Sequence, residues 1–199
     1  MKDQSKPRMD PRKIRTRQLL KDAFIDLMQE MEIEKISVNR LAERSTINRV
    51  TFYLHYRDIP DMMEQLANDM AEDSRRVLHQ SPAPEPSVED RELVMWVNLL
   101  EHFAEHAKFY TVILGSKRTP IFTDRLLRLL SETVAARIDT LDASSTEEHT
   151  GIPRDIAVWY GSAALIGTIV AWLRRDMPYR PLFLAKHLAA LLRSNDLVR

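Results

Sequence analysis

The chain has 199 residues, 44% hydrophobic and 29% charged, with 29 Lys/Arg balanced by 29 Asp/Glu and no cysteine. That length and apolar content suit one large helical domain or two small ones with a real core, and they exclude a disordered chain. The lack of cysteine excludes disulfides, thiolate metal sites and cysteine nucleophiles, and it fits a reducing, cytoplasmic setting.

Zero formal charge hides an uneven distribution. Residues 1–60 carry 13 Lys/Arg against 9 Asp/Glu, so the rest of the chain is acidic by the same margin of four. A basic end on an acidic body suits a protein that offers that end to a polyanion. Met1 to Asp10 is polar and basic, reads as a mobile arm, and holds no apolar run that would serve a signal peptide. Arg8, Arg12, Lys13, Arg15 and Arg17 can lie along phosphates or enter a minor groove; the plain alternative is a solvated tail.

From Pro11 the spacing predicts a helix over 11–31, with Leu20, Ala23, Phe24, Leu27, Met28 and Met31 on one buried stripe. The stretch SVNRLAERSTINRVTFYLHY, Ser37 to Tyr56, then reads as two short amphipathic helices, 37–44 and 48–56. Ser37 can cap the first, whose inward side is Val38, Leu41 and Ala42. Asn48 can cap the second, whose inward side is Phe52 and Tyr56. Ile47 fills the corner, and the small Ala42 allows a close crossing. Arg49, Val50, Tyr53 and Leu54 are thereby left facing outward. This is a helix-turn-helix with its recognition helix second.

Asp58 can cap a helix that has Pro60 in its first turn and runs to about Leu78, with Met62, Met63, Leu66, Met70 and Val77 inward. Ser81 to Ser87, SPAPEPS, reads as the linker. The expected organisation is therefore a helix-turn-helix, DNA-binding head over 1–60, a connecting helix over 60–80, and a second helical domain over 88–199. The fold class is all-α, a three-helix head plus a C-terminal bundle, about nine helices in total.

Beyond Val88 no strand alternation occurs, and breaks are expected at Gly115 to Pro120, Asp142 to Pro153 and Asp176 to Pro181. Trp96, Phe103, Phe109, Tyr110, Phe122 and Trp159 are candidate pocket-lining aromatics; the alternative for each is packed core. Ile156 to Leu173 contains no charge and reaches the lower length limit of a membrane span. Its glycines and alanines, within an otherwise amphipathic chain, favour instead a bundle centre or a subunit interface. With the last helix, it makes Trp159, Ala163, Gly167, Val170, Leu184, Leu188 and Leu191 candidates for a four-helix dimer interface.

With these residues in view, the chain resembles the TetR family of bacterial transcriptional regulators. The resemblance rests on Pro11 to Leu66: the basic first helix, ISVNRLAER, the corner Ile47, and NRVTFYLHYRD leading into DMMEQL. More loosely, Trp172-Leu173 followed by Arg, Pro and a last amphipathic helix is similar to a subgroup that includes regulators of dihydroxyacetone kinase genes. The resemblance implies a homodimer on a palindromic double-stranded DNA operator, with a small-molecule effector in the C-terminal bundle that loosens binding. It places Arg49, Val50 and Tyr53 where the family meets base edges, and Thr51, Tyr53 and His55 where it meets phosphates. Arg49 can bridge O6 and N7 of a guanine, while Val50 and Leu54 can meet thymine methyls. Ser37, Thr46, Asn48 and Arg57 complete the candidate face.

Three positions depart from the family pattern. Thr46 stands where the turn usually has glycine, so the turn is either right-handed or strained. Val50 replaces an often small residue, and Ile59 a lysine that commonly meets a phosphate. No cofactor or metal is expected. His102 and His106 in EHFAEH have ligand spacing but lack a third ligand. No phosphate loop, nucleophile elbow or paired carboxylates support an enzyme. The alternative from another class is a helical adaptor that uses a degenerate helix-turn-helix for protein contacts. Repression is the expected direction of regulation, and the pattern of residues does not separate it from activation.

Overall fold

The structure, a computed structural model, describes residues 10–80, 88–116, 118–144 and 152–193. The expected arm, apart from Asp10, and the SPAPEPS linker lie outside the described residues. Among the described residues there are nine α-helices, one short 3-10 turn and no strand. The chain separates into two compact units at Leu66/Ala67.

The first unit opens with α1 (Pro11–Glu30). The Asp10 side chain accepts the Arg12 amide at 2.9 Å, and Pro11 takes the first helical position, where its missing N–H costs nothing. Leu20, Ala23, Phe24 and Leu27 are buried as one stripe; Ile25 joins them, while Met28 and Met31 are only half-buried. A 3-10 turn (Ile33–Lys35) leads to α2 (Val38–Ser45), and α2 packs on α1. Arg44 on α2 forks onto Glu30 at the end of α1, one N–H···O contact at 2.7 Å and a second in parallel. The hydrogen bond from Arg44 is the main cause that holds the Glu30 carboxyl below its ordinary range.

Helix α3 (Arg49–Tyr53) is shorter than the 48–56 expected from sequence. The Leu54 and His55 amides donate to carbonyls three residues back, Thr51 and Phe52, so the last turn tightens instead of continuing. Helix α4 (Ile59–Leu78) begins where Asp58 accepts the Asp61 amide at 2.8 Å. Met62 and Leu66 on α4 are buried with the first unit, and for this reason the division falls inside the helix and not at its start.

The second unit holds the remainder of α4 with α5 (Val88–Glu105), α6 (Ala107–Gly115), α7 (Pro120–Ser144), α8 (Arg154–Arg174) and α9 (Pro181–Arg193). Helix α7 packs on α8, α5 on α9, and α6 on both α7 and α8. Its core is built from Trp96, Leu99, Leu100, Phe103, Ile113, Phe122, Leu126, Leu130, Leu165 and Ile169. On α4 the buried row runs Met70, Ser74, Leu78 at four-residue spacing, and Val77, expected inward, is half-buried. A break at His106, which sequence patterning did not single out, separates α5 from α6.

Helix α8 is the one described helix long and apolar enough to cross a membrane, and 39% of its apolar window is buried inside the chain. Of the two expectations for this helix, a bundle centre holds for one side only: Gly161, Ser162, Leu165, Ile166, Ile169, Trp172 and Leu173 face the core, whereas Ile156, Trp159, Tyr160, Ala163, Ala164 and Gly167 face outward.

Candidate functional site

The site is built by two caps and one turn. The Ser37 hydroxyl accepts the Arg40 amide at 3.4 Å and starts α2; the Asn48 carboxamide oxygen accepts the Val50 amide at 2.8 Å and starts α3. Between them Thr46 adopts φ 56°, ψ 28°, so the turn is left-handed at a residue that is not glycine. Its amide reaches Glu43 and the Ile47 amide reaches Ala42, a Schellman closure that satisfies the last carbonyls of α2. For a β-branched residue this conformation costs on the order of 1–2 kcal/mol. Of the two options for the turn, the strained one holds.

Helix α3 turns Phe52 inward, fully buried, together with Tyr56, and their rings lie 5.6 Å apart. The opposite side is open. Val50 is 68% exposed and Leu54 78%, with Asn48, Arg49 and Tyr53 exposed beside them. Ser37, Thr46 and Arg57 are exposed on the adjoining segments, while Thr51 and His55 are half-buried at the edge. None of the ten residues singled out from sequence is thus buried, and Ile59 sits half-buried at the start of α4.

Two features of this face lie beyond sequence patterning. The Arg49 guanidinium lies over the Tyr53 ring, 5.5 Å from its centroid, and donates to the Tyr53 hydroxyl at 3.1 Å. An i, i+4 pair on one helix therefore holds the arginine fork against an aromatic face. Burial, followed by the charges of Arg17 and Lys13 on α1, lowers the His55 pKa from its ordinary 6.5. The basic side of α1 therefore contributes to the field at this edge. Arg17 also stands over the Tyr56 ring at 5.7 Å. Arg57, by contrast, is partly neutralised, since both its amide and its guanidinium meet Asp61, at 2.9 and 3.3 Å.

In the second unit, Trp96, Phe103, Phe109, Tyr110 and Phe122 are all buried, and four of them pack ring on ring. Phe103 lies 4.4 Å from Tyr110, Phe109 5.3 Å from Tyr110, and Phe109 6.3 Å from Phe122. Trp159 does not join them; it is 65% exposed on α8. The Tyr110 hydroxyl is within 2.7 Å of His102 Nε2 and 3.3 Å of the Ser74 hydroxyl, and burial pushes its pKa up. A cleft of about 360 Å³ has a different lining, from α4, α5 and α7, that includes Arg75, Leu78, Met95, Leu129, Ala136 and Arg137. Sequence reasoning missed it because its walls come from three separated helices. A second cleft, about 510 Å³, runs along Leu114, Thr123, Ile166, Gly167 and Val170.

Among the interface candidates, Trp159, Ala163, Gly167 and Leu191 are exposed and Val170 half-buried. Leu184 and Leu188 are buried inside the chain, on the inner of the two apolar sides of α9. The outer side of α9 carries Leu182, Phe183 and Leu191 instead. His102 and His106 stack edge to face at 4.9 Å, and among the described residues no group of three or more His, Cys, Asp or Glu is placed to hold a metal.

Comparison with known proteins agrees with this architecture. A TetR-type family model described as a transcriptional regulator C-terminal region matches residues 94–194. The uncharacterized HTH-type transcriptional regulator YxbF of Bacillus subtilis (strain 168) is 23% identical over 163 residues, an alignment spanning 81% of this chain and 40% of that relative's length. A TetR transcriptional regulator from Streptococcus agalactiae 2603V has the same fold, with a TM-score of 0.66 at 24% identity, covering 91% of this chain and 96% of that one. The dihydroxyacetone kinase operon activator DhaS is likewise similar in fold, with a TM-score of 0.61 at 20% identity over 90% of this chain and 94% of its own. The three-helix head, its open recognition helix and the matched C-terminal region lead to one conclusion: the chain belongs to the TetR family of transcriptional regulators.

Proposed function

We propose that the chain acts as a cytoplasmic homodimer whose two heads bind a palindromic operator and repress transcription, and that a small molecule held in the second unit releases it. The observation that carries the DNA-binding part is the open side of α3. Two branched apolar side chains, Val50 and Leu54, stand 68% and 78% exposed beside Arg49, an arrangement that only a partner surface would reward. In a major groove Arg49 reads a guanine through O6 and N7, worth about 1–3 kcal/mol of discrimination. Val50 and Leu54 cover thymine methyls, and Tyr53 meets a base edge or a phosphate. Ser37, Thr46, Asn48, Thr51, His55 and Arg57 position the head on the backbone.

Dimerisation is assigned to the outward sides of α8 and α9. Ile156, Trp159, Tyr160, Leu182, Phe183 and Leu191 form exposed apolar ground there, and Ala163 and Gly167 permit close helix approach. The effector is assigned to the second unit, and α4, which begins in the head and ends in that unit, is the element that would carry its influence. The role of DhaS as an activator is its own; for this chain the sign of regulation is read by a reporter fused to the selected site.

Selection of bound sites from random DNA tests the proposal. A palindrome with half-sites one helical turn or a multiple apart is expected, with binding that weakens steeply as salt is added. Arg49→Ala should relax preference at one position and leave the dimer intact. Binding without sequence preference at low salt would overturn the operator reading and favour a helical adaptor.

A further inference from the structure

The cleft of about 360 Å³ in the second unit has a lining of mixed chemistry. Leu78, Met95, Leu129 and Ala136 are its apolar part, and Arg75, His79, Arg91 and Arg137 join them with only Glu92 and Glu132 as acids. Among ionised groups the lining is cationic by one charge, before any proton on His79. The size is at the small end of ligand pockets, enough for one slender apolar body.

The two ion pairs in the lining are not equivalent. Arg137 meets Glu92 at 3.0 Å with the two side chains only 16% and 11% exposed. Arg137 also donates to the Leu192 carbonyl at 3.0 Å, and Glu92 accepts from the Trp96 indole N–H at 3.4 Å. That pair is largely desolvated and held by further hydrogen bonds, so it is part of the wall. Arg75 instead lies between Glu72 on its own helix and Glu132 on α7, the latter at 2.9 Å, with side-chain exposures of 36% for Arg75 and 55% for Glu132. Exposed pairs of this kind contribute little and exchange readily. A planar guanidinium is, moreover, the group best shaped to take an oxyanion through two parallel N–H bonds.

We propose that this cleft binds an amphipathic oxyanion, its apolar body on Leu78, Met95, Leu129 and Ala136 and its charged head on Arg75 in place of Glu132. The exchange breaks an ion pair that ties α4 to α7, so occupancy loosens the end of α4 from that helix. As a regulatory device it rests on the reading that the second unit takes an effector; as a binding site it does not.

The test uses decanoate as the probe, with decanol and decyltrimethylammonium as uncharged and cationic counterparts, titrated by calorimetry into the purified full-length protein without DNA. Decanoate is expected to bind about tenfold or more tightly than decanol, the equivalent of one charge-assisted hydrogen bond, and the cation not at all. Arg75→Gln should remove that preference while leaving decanol affinity unchanged. Glu132→Gln should tighten decanoate by removing its competitor, and Ala136→Trp, on an exposed position of α7, should block both probes by filling the cleft. Circular dichroism confirms that each variant is folded, and the Glu132→Gln gain cannot come from misfolding. Equal affinity for decanoate and decanol, no binding of decanoate, or weaker decanoate binding to Glu132→Gln would overturn the proposal. Binding as expected with operator affinity unchanged would leave the site standing and sink the release mechanism.

Discussion

The left-handed Thr46 offers a direct test of how the helix-turn-helix is held. At φ 56° the residue pays about 1–2 kcal/mol that glycine does not, and its side chain is exposed, so nothing packed is lost on truncation. Glycine returns part of that gain, about 0.5–1 kcal/mol, because its unfolded backbone is freer. Thr46→Gly should therefore stabilise the head by about 0.5–1 kcal/mol net. Thr46→Ala, which removes the hydroxyl bond to the Ser45 carbonyl but keeps a Cβ, should not. Tryptophan fluorescence is blind to this change, since Trp96, Trp159 and Trp172 all lie in the second unit. Hydrogen exchange at the Thr46 and Ile47 amides, which close the turn onto Glu43 and Ala42, reads it directly. A slowing of about two- to fivefold in Thr46→Gly alone is expected. Equal slowing in Thr46→Ala, or faster exchange in Thr46→Gly, would show that the turn is not strained by its Cβ.

Three further predictions follow from the same geometry. His55 resists protonation in the folded head, so stability from its neutral form is fully present above the ordinary pKa of 6.5 and is lost as pH falls from there towards the lowered folded value; His55→Gln should flatten the pH dependence of head amide exchange in that window. Tyr110→Phe removes the hydroxyl that meets both Ser74 and His102 and should cost about 1–2 kcal/mol in urea unfolding followed by tryptophan emission; an unchanged midpoint would mean that water replaces it. Trp159→Glu places a charge on the exposed side of α8 and should convert the proposed dimer to monomer by light scattering, whereas Leu184→Ala should destabilise the subunit itself, because that leucine is buried inside.

The helix-turn-helix was legible in the chain because its signals are local. Caps act within three residues, as Ser37 to Arg40 and Asn48 to Val50, and an amphipathic period repeats within one helix. The outward set Arg49, Val50, Tyr53 and Leu54 follows from that period alone, and so does the all-α class; the exposure of Trp159 does not, because its helix is apolar on every side in sequence. Tertiary structure decided what depends on distant partners. The length of α3 was cut by its last turn, and the handedness at Thr46 was imposed by closing α2 onto the corner. Leu184 and Leu188 were claimed by the inner side of a helix with two apolar sides, a choice that no single-helix pattern contains. The aromatics of α5, α6 and α7 were drawn into contact with one another, and the cleft opened where Arg75, Met95 and Ala136 line one space, residues with up to two helices between them in sequence. Periodicity tells a side chain which way to face along its own helix; which neighbour it meets is a matter of packing, and packing is long-range.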